Sequence, residues 1–399
     1  MIDNRSSAST RVVVIGGGYA GTMAANRLTK RRDVDVALIN PRAEFVERVR
    51  LHQLVGGTHD AVHDFAAVLS PRVRLVVDTA VRIDAQQRAV GLISGATVAY
   101  DYLVYAVGSF GATPSMPGVA EFAYPISTLE DARRARAAVD VAPESGAVTI
   151  VGAGPTGIET AAELTEQGRG VTLVCGGELG PYLEAPARRV VGDRLRSLKV
   201  TVLDGDGDGA RVVEVGAATV LLEDGREVAS DVTLWTAGFA VPDLAARSGL
   251  STDEAGRLLT DETLTSVDSP RIVAAGDSAS PSGAPYRMSC QIAVPLGNLA
   301  ADTVLARIDG REPKAVAPGF VGQCLSLGRR FGVYQFASKD DHATKAYVAG
   351  RSAAILKESG SGFAYGSLVF EGKRPGLMNW VPFKDTGRQG LLESARVSA

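Results

Sequence analysis

The sequence predicts an α/β protein with two parallel-sheet units of similar build and an α+β region at the C-terminus. Three observations predict it. A β-branched run, a glycine-rich loop and a helix-forming stretch follow one another near the N-terminus; the same succession returns more than a hundred residues later; and the composition changes character beyond Arg311.

The first unit opens with the strand-forming run Val12-Val13-Val14-Ile15, the loop Gly16-Gly17-Gly18-Tyr19-Ala20-Gly21 and a helix over 22–30. Gly16, Gly18 and Gly21 fill a G-x-G-x-x-G pattern. Such a loop uses one glycine for a tight turn, one to let backbone approach a pyrophosphate, and one for close helix-to-strand packing. The helix N-terminus adds unpaired N–H groups and a partial positive charge. Gly16, Gly18, Tyr19, Ala20 and Gly21 are therefore candidate cofactor-binding residues.

A second strand covers 35–39, and Asn40 stands where a dinucleotide-binding unit of the Rossmann type usually presents an acid to ribose hydroxyls. An amide oxygen there can still accept such a hydrogen bond. A strand over 73–77, a hairpin over 90–98 and a continuous apolar strand over 102–107, stopping at Gly108-Ser109, complete the first stretch. Pro114, Pro117 and Gly118 mark a change of domain.

The second unit repeats the plan. Val148-Thr149-Ile150-Val151 runs into Gly152-Ala153-Gly154-Pro155-Thr156-Gly157 and a helix over 158–167, with strands near Val171 and Val200 and a closing strand over 232–236. Its candidate binding residues are Gly152, Gly154, Thr156 and Gly157. Beyond Pro270, Arg271 to Ala275 reads as a strand of the first unit resumed, ending in Gly276-Asp277. Past Arg311, Phe320, Phe331, Tyr334 and Phe336 alternate as in strands, and 344–357 reads as a helix. The expected divisions are 1–115 and 239–312 for the first unit, 116–238 for the second, and 313–399 for a C-terminal domain.

At 399 residues the chain exceeds one ordinary hydrophobic core. A formal charge of −3 gives no basic footprint for nucleic acid. No apolar run approaches the roughly 18 residues a spanning helix needs, and Met1 to Thr10 is short and polar, so a cytoplasmic location without an integral membrane segment is the expectation. Cys175, Cys290 and Cys324 are far apart in sequence and read as small buried side chains. No metal is expected. His59 and His63 share a helical metal-pair spacing without a third ligand and read as a solvated helix start, while Asp204 to Gly209 imitates half a calcium loop and reads as a surface turn.

With these residues in view, the chain resembles the two-dinucleotide flavoprotein superfamily of pyridine nucleotide-disulfide oxidoreductase type, and within it type II NADH dehydrogenases and apoptosis-inducing-factor-like oxidoreductases. Tyr105-Ala106-Val107-Gly108 resembles the motif at which the chain crosses between domains, and Trp235-Thr236-Ala237-Gly238 its second copy. Ala275-Gly276-Asp277 resembles the flavin motif. The resemblance implies FAD on the first unit, with Ala106, Gly108, Gly276 and Asp277 among its contacts and Asp277 on the ribityl chain. It implies NADH or NADPH on the second, with Gly238 beside it. Glu159 falls where the family's second loop carries a glutamate close to the reacting rings; a carboxylate that merely complements the helix dipole is the alternative. Together Glu159 and Gln291 are the candidate catalytic residues.

The resemblance implies an enzyme that takes hydride from NAD(P)H onto FAD and passes electrons to a small quinone-like or aromatic acceptor. A protein acceptor such as ferredoxin, or a flavin-bound redox sensor, is the alternative, and a homodimer is left open. Near Cys175 the second unit lacks both the ribose acid and an arginine for a 2′-phosphate, which leaves NADH and NADPH undivided. Cys290-Gln291-Ile292-Ala293-Val294-Pro295-Leu296-Gly297 corresponds to the Ala-Gln-x-Ala-x-Gln-Gln-Gly stretch at the relatives' quinone site. Gln291 matches, while Pro295-Leu296 replaces two amides and predicts a more apolar site. Gly376, Pro382 and Gly387 predict a tail without a long amphipathic helix to seat the enzyme on a bilayer.

Overall fold

The two valine-rich runs become central strands of two parallel sheets in a computed structural model that describes residues 9–112, 114–205, 210–315, 317–380, 383, 388–390 and 392. In chain order its main elements begin with β1 (Thr10–Ile15), α1 (Tyr19–Leu28), β2 (Val34–Asn40), α2 (Leu51–Gly56), β3 (Val73–Val77) and β4 (Tyr102–Tyr105). Next come β5 (Ala123–Pro125), β6 (Ala147–Val151), α3 (Pro155–Glu166), β7 (Gly170–Val174), β8 (Thr201–Leu203) and β9 (Val232–Trp235). The last are β10 (Ile272–Ala274), α4 (Cys290–Ile308), β11 (Gly322–Ser326), β12 (Gly332–Ala337), β13 (Ala343–Gly350) and α5 (Arg351–Lys373).

The first sheet runs β10-β4-β1-β2-β3 and the second β5-β9-β6-β7-β8, all parallel. In each, a glycine loop leaves the C-terminal end of a central strand beside the end of a neighbour, the crevice where open α/β sheets bind ligands. Helices cover one face of each sheet and a small antiparallel sheet the other, with Ile83, Val90 and Leu92 in the first unit and Val212, Val220 and Leu222 in the second; buried on both faces, β1, β4, β6 and β9 are near-continuous apolar runs.

The C-terminal region differs from its sequence reading. Residues 343–350 form β13, antiparallel to β12, and the helix starts only at Arg351 and runs to Lys373. Gly350, at φ +85°, makes the break that the alanines and lysines of this stretch conceal. This long helix lies upstream of Gly376; Pro382 and Gly387 fall outside the described residues, as do Met1 to Ala8 and Asp206 to Gly209. Leu356, Phe363 and Phe370, seven residues apart, stand exposed on one side of α5, while Ala353, Ala364 and Leu368 are buried on another.

The histidine pair is not on a helix either. Ala61 at φ 57° and the strand pairing of Val62 to Asp64 place His63 in an extended segment, where its ring stacks on Tyr365 at 4.1 Å. The His59 Nδ1 accepts the Ala61 N–H, a local turn that ends the helical spacing.

Polar side chains at the back of α1 fasten α5 to the first unit. The Asn26 amide donates to the carbonyls of Val68 and Leu368 and accepts the Ser70 N–H. The Arg27 guanidinium, also buried, donates to Asp302 of α4 at 2.8 Å, to Glu371 of α5 at 3.3 Å and to the Met378 carbonyl at 2.9 Å. Each of these groups would be costly to leave unpaired.

Candidate active site

Both glycine loops open onto one cavity of about 1920 Å³, well above the roughly 300–1,000 Å³ of a single-ligand site. The loops are sterically alike. A Cβ on Gly16 would meet the Ala106 carbonyl oxygen at 2.3 Å, and one on Gly152 the Thr236 Oγ1 at 2.6 Å. A Cβ on Gly21 would stand 1.8 Å from the Gly16 oxygen, and one on Gly157 1.9 Å from the Gly152 oxygen. The middle glycines, Gly18 and Gly154, have nothing within 4 Å on the side a Cβ would take, which leaves open space at each loop. Two such cradles, each at a helix N-terminus, fit two pyrophosphates.

The first cradle carries further polar groups. Asp277 lines the cavity, accepts the Ser109 hydroxyl at 2.7 Å and stands 3.6 Å from the Arg48 guanidinium. Arg48 also donates to Ser109 at 3.0 Å, and burial pulls its pKa down from the usual guanidinium value. Sequence reading passed over Arg48. Asn40 commits its amide oxygen to the Gly17 N–H at 2.9 Å and its nitrogen to the Arg42 carbonyl, which fixes its orientation beside the cavity. Ala106, Gly108 and Gly276 line the same wall with Ala20 and Tyr19, whose buried hydroxyl has no partner among the described residues. Thr156 and Gly238 line the second cradle. Glu178, also on the cavity wall, is ion-paired with Arg188, so a carboxylate does stand three residues past Cys175.

Glu159, on the first turns of α3, faces the junction of the two cradles and is almost fully buried. Its Oε1 accepts the Ser326 N–H at 2.8 Å and pairs with the Lys357 Nζ of α5, also at 2.8 Å. Its Oε2 stands 3.8 Å from the His52 Nδ1. Helix-dipole complementation alone does not describe a carboxylate so engaged. Despite burial, Glu159 and the nearby thiols hold the Lys357 ammonium above its ordinary pKa. Burial instead drives His52 down to about 4, leaving it neutral. Lys357 and His52 gave no sequence signal, because their partner lies on an element remote in the chain.

Gln291 and Cys290 open α4 on the same wall, opposite Cys324 of β11. The Gln291 Oε1 accepts the Val321 N–H at 3.4 Å. Burial pushes the Cys290 thiol up to about 11 and that of Cys324 in the same direction. All three cysteines are partly exposed at the cavity, a correction to their reading as buried fillers. Pro295 reaches the cavity, but Leu296 is buried in the core against α1, so only one of the two replaced amide positions faces the site.

The descriptions of known proteins agree with this geometry. An NADH dehydrogenase-like protein of Mycobacterium tuberculosis is 31% identical over 356 residues, 82% of this chain and 87% of the relative. A type II NADH:quinone oxidoreductase of the same organism is 28% identical over 353 residues, 77% of this chain and 75% of the relative. Among solved structures, NDH2 of Plasmodium falciparum in complex with NADH superposes with a TM-score of 0.75 at 16% identity, covering 92% of this chain and 98% of its own. The sulfide:quinone oxidoreductase of Aquifex aeolicus superposes with a TM-score of 0.76 at 18% identity, covering 94% and 98%. Residues 10–297 match the model of the pyridine nucleotide-disulphide oxidoreductases; the chain belongs to that family and is an FAD-dependent NAD(P)H oxidoreductase.

Proposed function

We propose that the chain passes electrons from NAD(P)H, by way of FAD, to a small quinone-like acceptor seated against the Glu159–Lys357 pair. The supporting observation is that pair itself: a buried carboxylate of α3 and a largely buried ammonium of α5 at a cavity wall, where the α5 apolar side chains Leu356 and Phe363 line the same cavity. A bound flavin supplies the two-electron relay. The chain supplies the rest. The first loop and the α1 N-terminus would hold the flavin pyrophosphate, Asp277 the ribityl hydroxyls, and the second loop with the α3 N-terminus the nicotinamide dinucleotide. At the acceptor, the Lys357 ammonium can donate a hydrogen bond to a carbonyl oxygen, and Glu159 can hold the proton that oxygen requires.

The NADH dehydrogenase-like and quinone-reducing relatives support this acceptor class. Among the described residues no helix is long and apolar enough to cross a membrane, and turnover with a water-soluble quinone is expected without added lipid. The test is stopped-flow kinetics of the two half-reactions. Glu159→Gln and Lys357→Met should each slow reoxidation of the reduced flavin by a short-chain quinone at least about tenfold, with flavin content retained. Reoxidation at the wild-type rate in both variants would remove the pair from the acceptor site.

A further inference from the structure

On the function proposed above, the balance is NAD(P)H + H⁺ + quinone → NAD(P)⁺ + quinol. Hydride carries two electrons and one proton, so the second proton must come from water. Glu159 is 5% exposed and faces a cavity that two dinucleotides and an acceptor would fill. Two further buried titratable side chains lie beside it.

On that side α2 packs against α3. His52 and Gly56, one turn apart on α2, lie against Glu159 and Glu163, one turn apart on α3. A Cβ on Gly56 would come 2.6 Å from the Glu163 Cγ, so glycine is what allows the carboxyl to rest there. His52 is 3% and Glu163 1% exposed. The His52 Nε2 and the Glu163 Oε2 have no hydrogen-bond partner among the described residues. Orphaned buried atoms of this kind are costly unless water bridges them. The other Glu163 oxygen accepts the hydroxyl of Thr58, which is partly exposed just beyond the end of α2.

We propose that Thr58, Glu163 and His52 form a proton inlet from the surface to Glu159. Water at the Thr58 end protonates the Glu163 carboxylate. Glu163 gives that proton, through a bridging water, to the His52 Nε2 as the Nδ1–H passes to Glu159, and Glu159 delivers its proton to the acceptor oxygen. The ring is left as its Nε2–H tautomer, exchange of that proton through water returns it to Nδ1 before the next turnover, and no net charge is left in the seam. The environment suits the relay. Burial raises the Glu163 carboxyl against the opposing effects of Thr58 and Arg329, with Glu166 and Glu159 adding to the rise. Burial also keeps His52 neutral with Lys357, Arg329 and Arg50 around it, so the ring can accept at one nitrogen and donate from the other. These are positioning residues; Glu159 is the group that meets the acceptor.

The test uses the flavin-loaded protein, NADH and a water-soluble naphthoquinone. Glu163→Gln keeps the shape but carries no exchangeable acid, and Thr58→Val alters only the surface end. Flavin reduction by NADH should stay within about twofold of wild type in both. Reoxidation should slow about tenfold in Glu163→Gln, less than the loss of a direct general acid, and lose its pH dependence, with a smaller loss in Thr58→Val. Independently, infrared difference spectroscopy of flavin reoxidation should show a transient carboxyl band that Glu163→Gln removes. Wild-type reoxidation rates and an unchanged pH profile in both variants, or no such band, would overturn the inlet. A wild-type protein that reduces no quinone would overturn the proposed function, and the inlet with it.

Discussion

Substituting Gly154 by alanine separates what the second loop does for the fold from what it does for a ligand. Gly154 precedes the first turn of α3 with φ −74° and ψ 177°, a conformation alanine adopts without strain, and its Cβ would meet nothing within 4 Å. The loss of unfolded-chain entropy favours alanine by about 0.4–1 kcal/mol, while alanine is the poorer N-cap by a similar amount, so stability should move by less than about 1 kcal/mol. The methyl instead enters the space left for a pyrophosphate. Forcing one charge-assisted N–H···O bond out of reach costs about 1.5–3 kcal/mol, which is roughly ten- to hundredfold in the Kd for NAD(P)H. Gly157→Ala is its counterpart: a Cβ 1.9 Å from the Gly152 oxygen cannot be housed, so that variant should lose the loop itself. Thermal unfolding, flavin content and the NADH dependence of flavin reduction together give the answer. Tight NADH binding by Gly154→Ala, or a fold as damaged as that of Gly157→Ala, would refute the reasoning.

Asp277→Ala should weaken flavin retention by about 1.5–3 kcal/mol, read as flavin lost on gel filtration, and an equally yellow variant would take Asp277 out of the cofactor site. His52, driven from 6.5 to about 4 by burial, binds a proton in the unfolded chain before it does in the fold, so its contribution is full above about pH 6.5 and is lost as pH falls towards 4. Between pH 7.5 and 5 that is about 2 kcal/mol, and His52→Gln should flatten the thermal-stability profile there; a profile as steep as wild type would reject the buried neutral ring. Phe363 is 57% exposed, so Phe363→Ser should change stability by no more than about 0.5 kcal/mol. Because it lines the cavity, the same change should raise the KM for apolar quinones several-fold more than for polar ones, and equal effects on both would remove it from the acceptor's path.

What could be read from sequence was what local sterics dictate. Gly16, Gly21 and Gly157 are written at fixed spacing because each must clear a particular backbone oxygen, and Gly152 because it must clear the Thr236 hydroxyl; Glu159 inherits its place from the loop before it. Arg48, His52 and Lys357 carry no such mark. Each becomes part of the site through a partner on another element, and nothing near Lys357 in sequence announces Glu159. α5 is hidden in the sequence for a different reason: Gly360, Gly362, Gly366 and Gly372 depress helical propensity, and tertiary packing of Ala364 and Leu368 overrides it. The cysteines misled because thiols are so often buried, whereas here one cavity draws all three to its wall.

Arg27 and Asn26 give the chain an order of assembly. α1 opens at the first cradle, but the carbonyl and the carboxylate that satisfy its back, Leu368 and Glu371, lie 342 and 344 residues further along the chain. The first sheet likewise waits for β10 to close its edge. A nascent chain that has completed β1 and its glycine loop therefore holds an unfinished cradle, with a guanidinium and an amide short of partners until α5 follows. Stable flavin retention then waits for α5 to dock, and a ribosome stalled before α5 would display a chain that does not turn yellow.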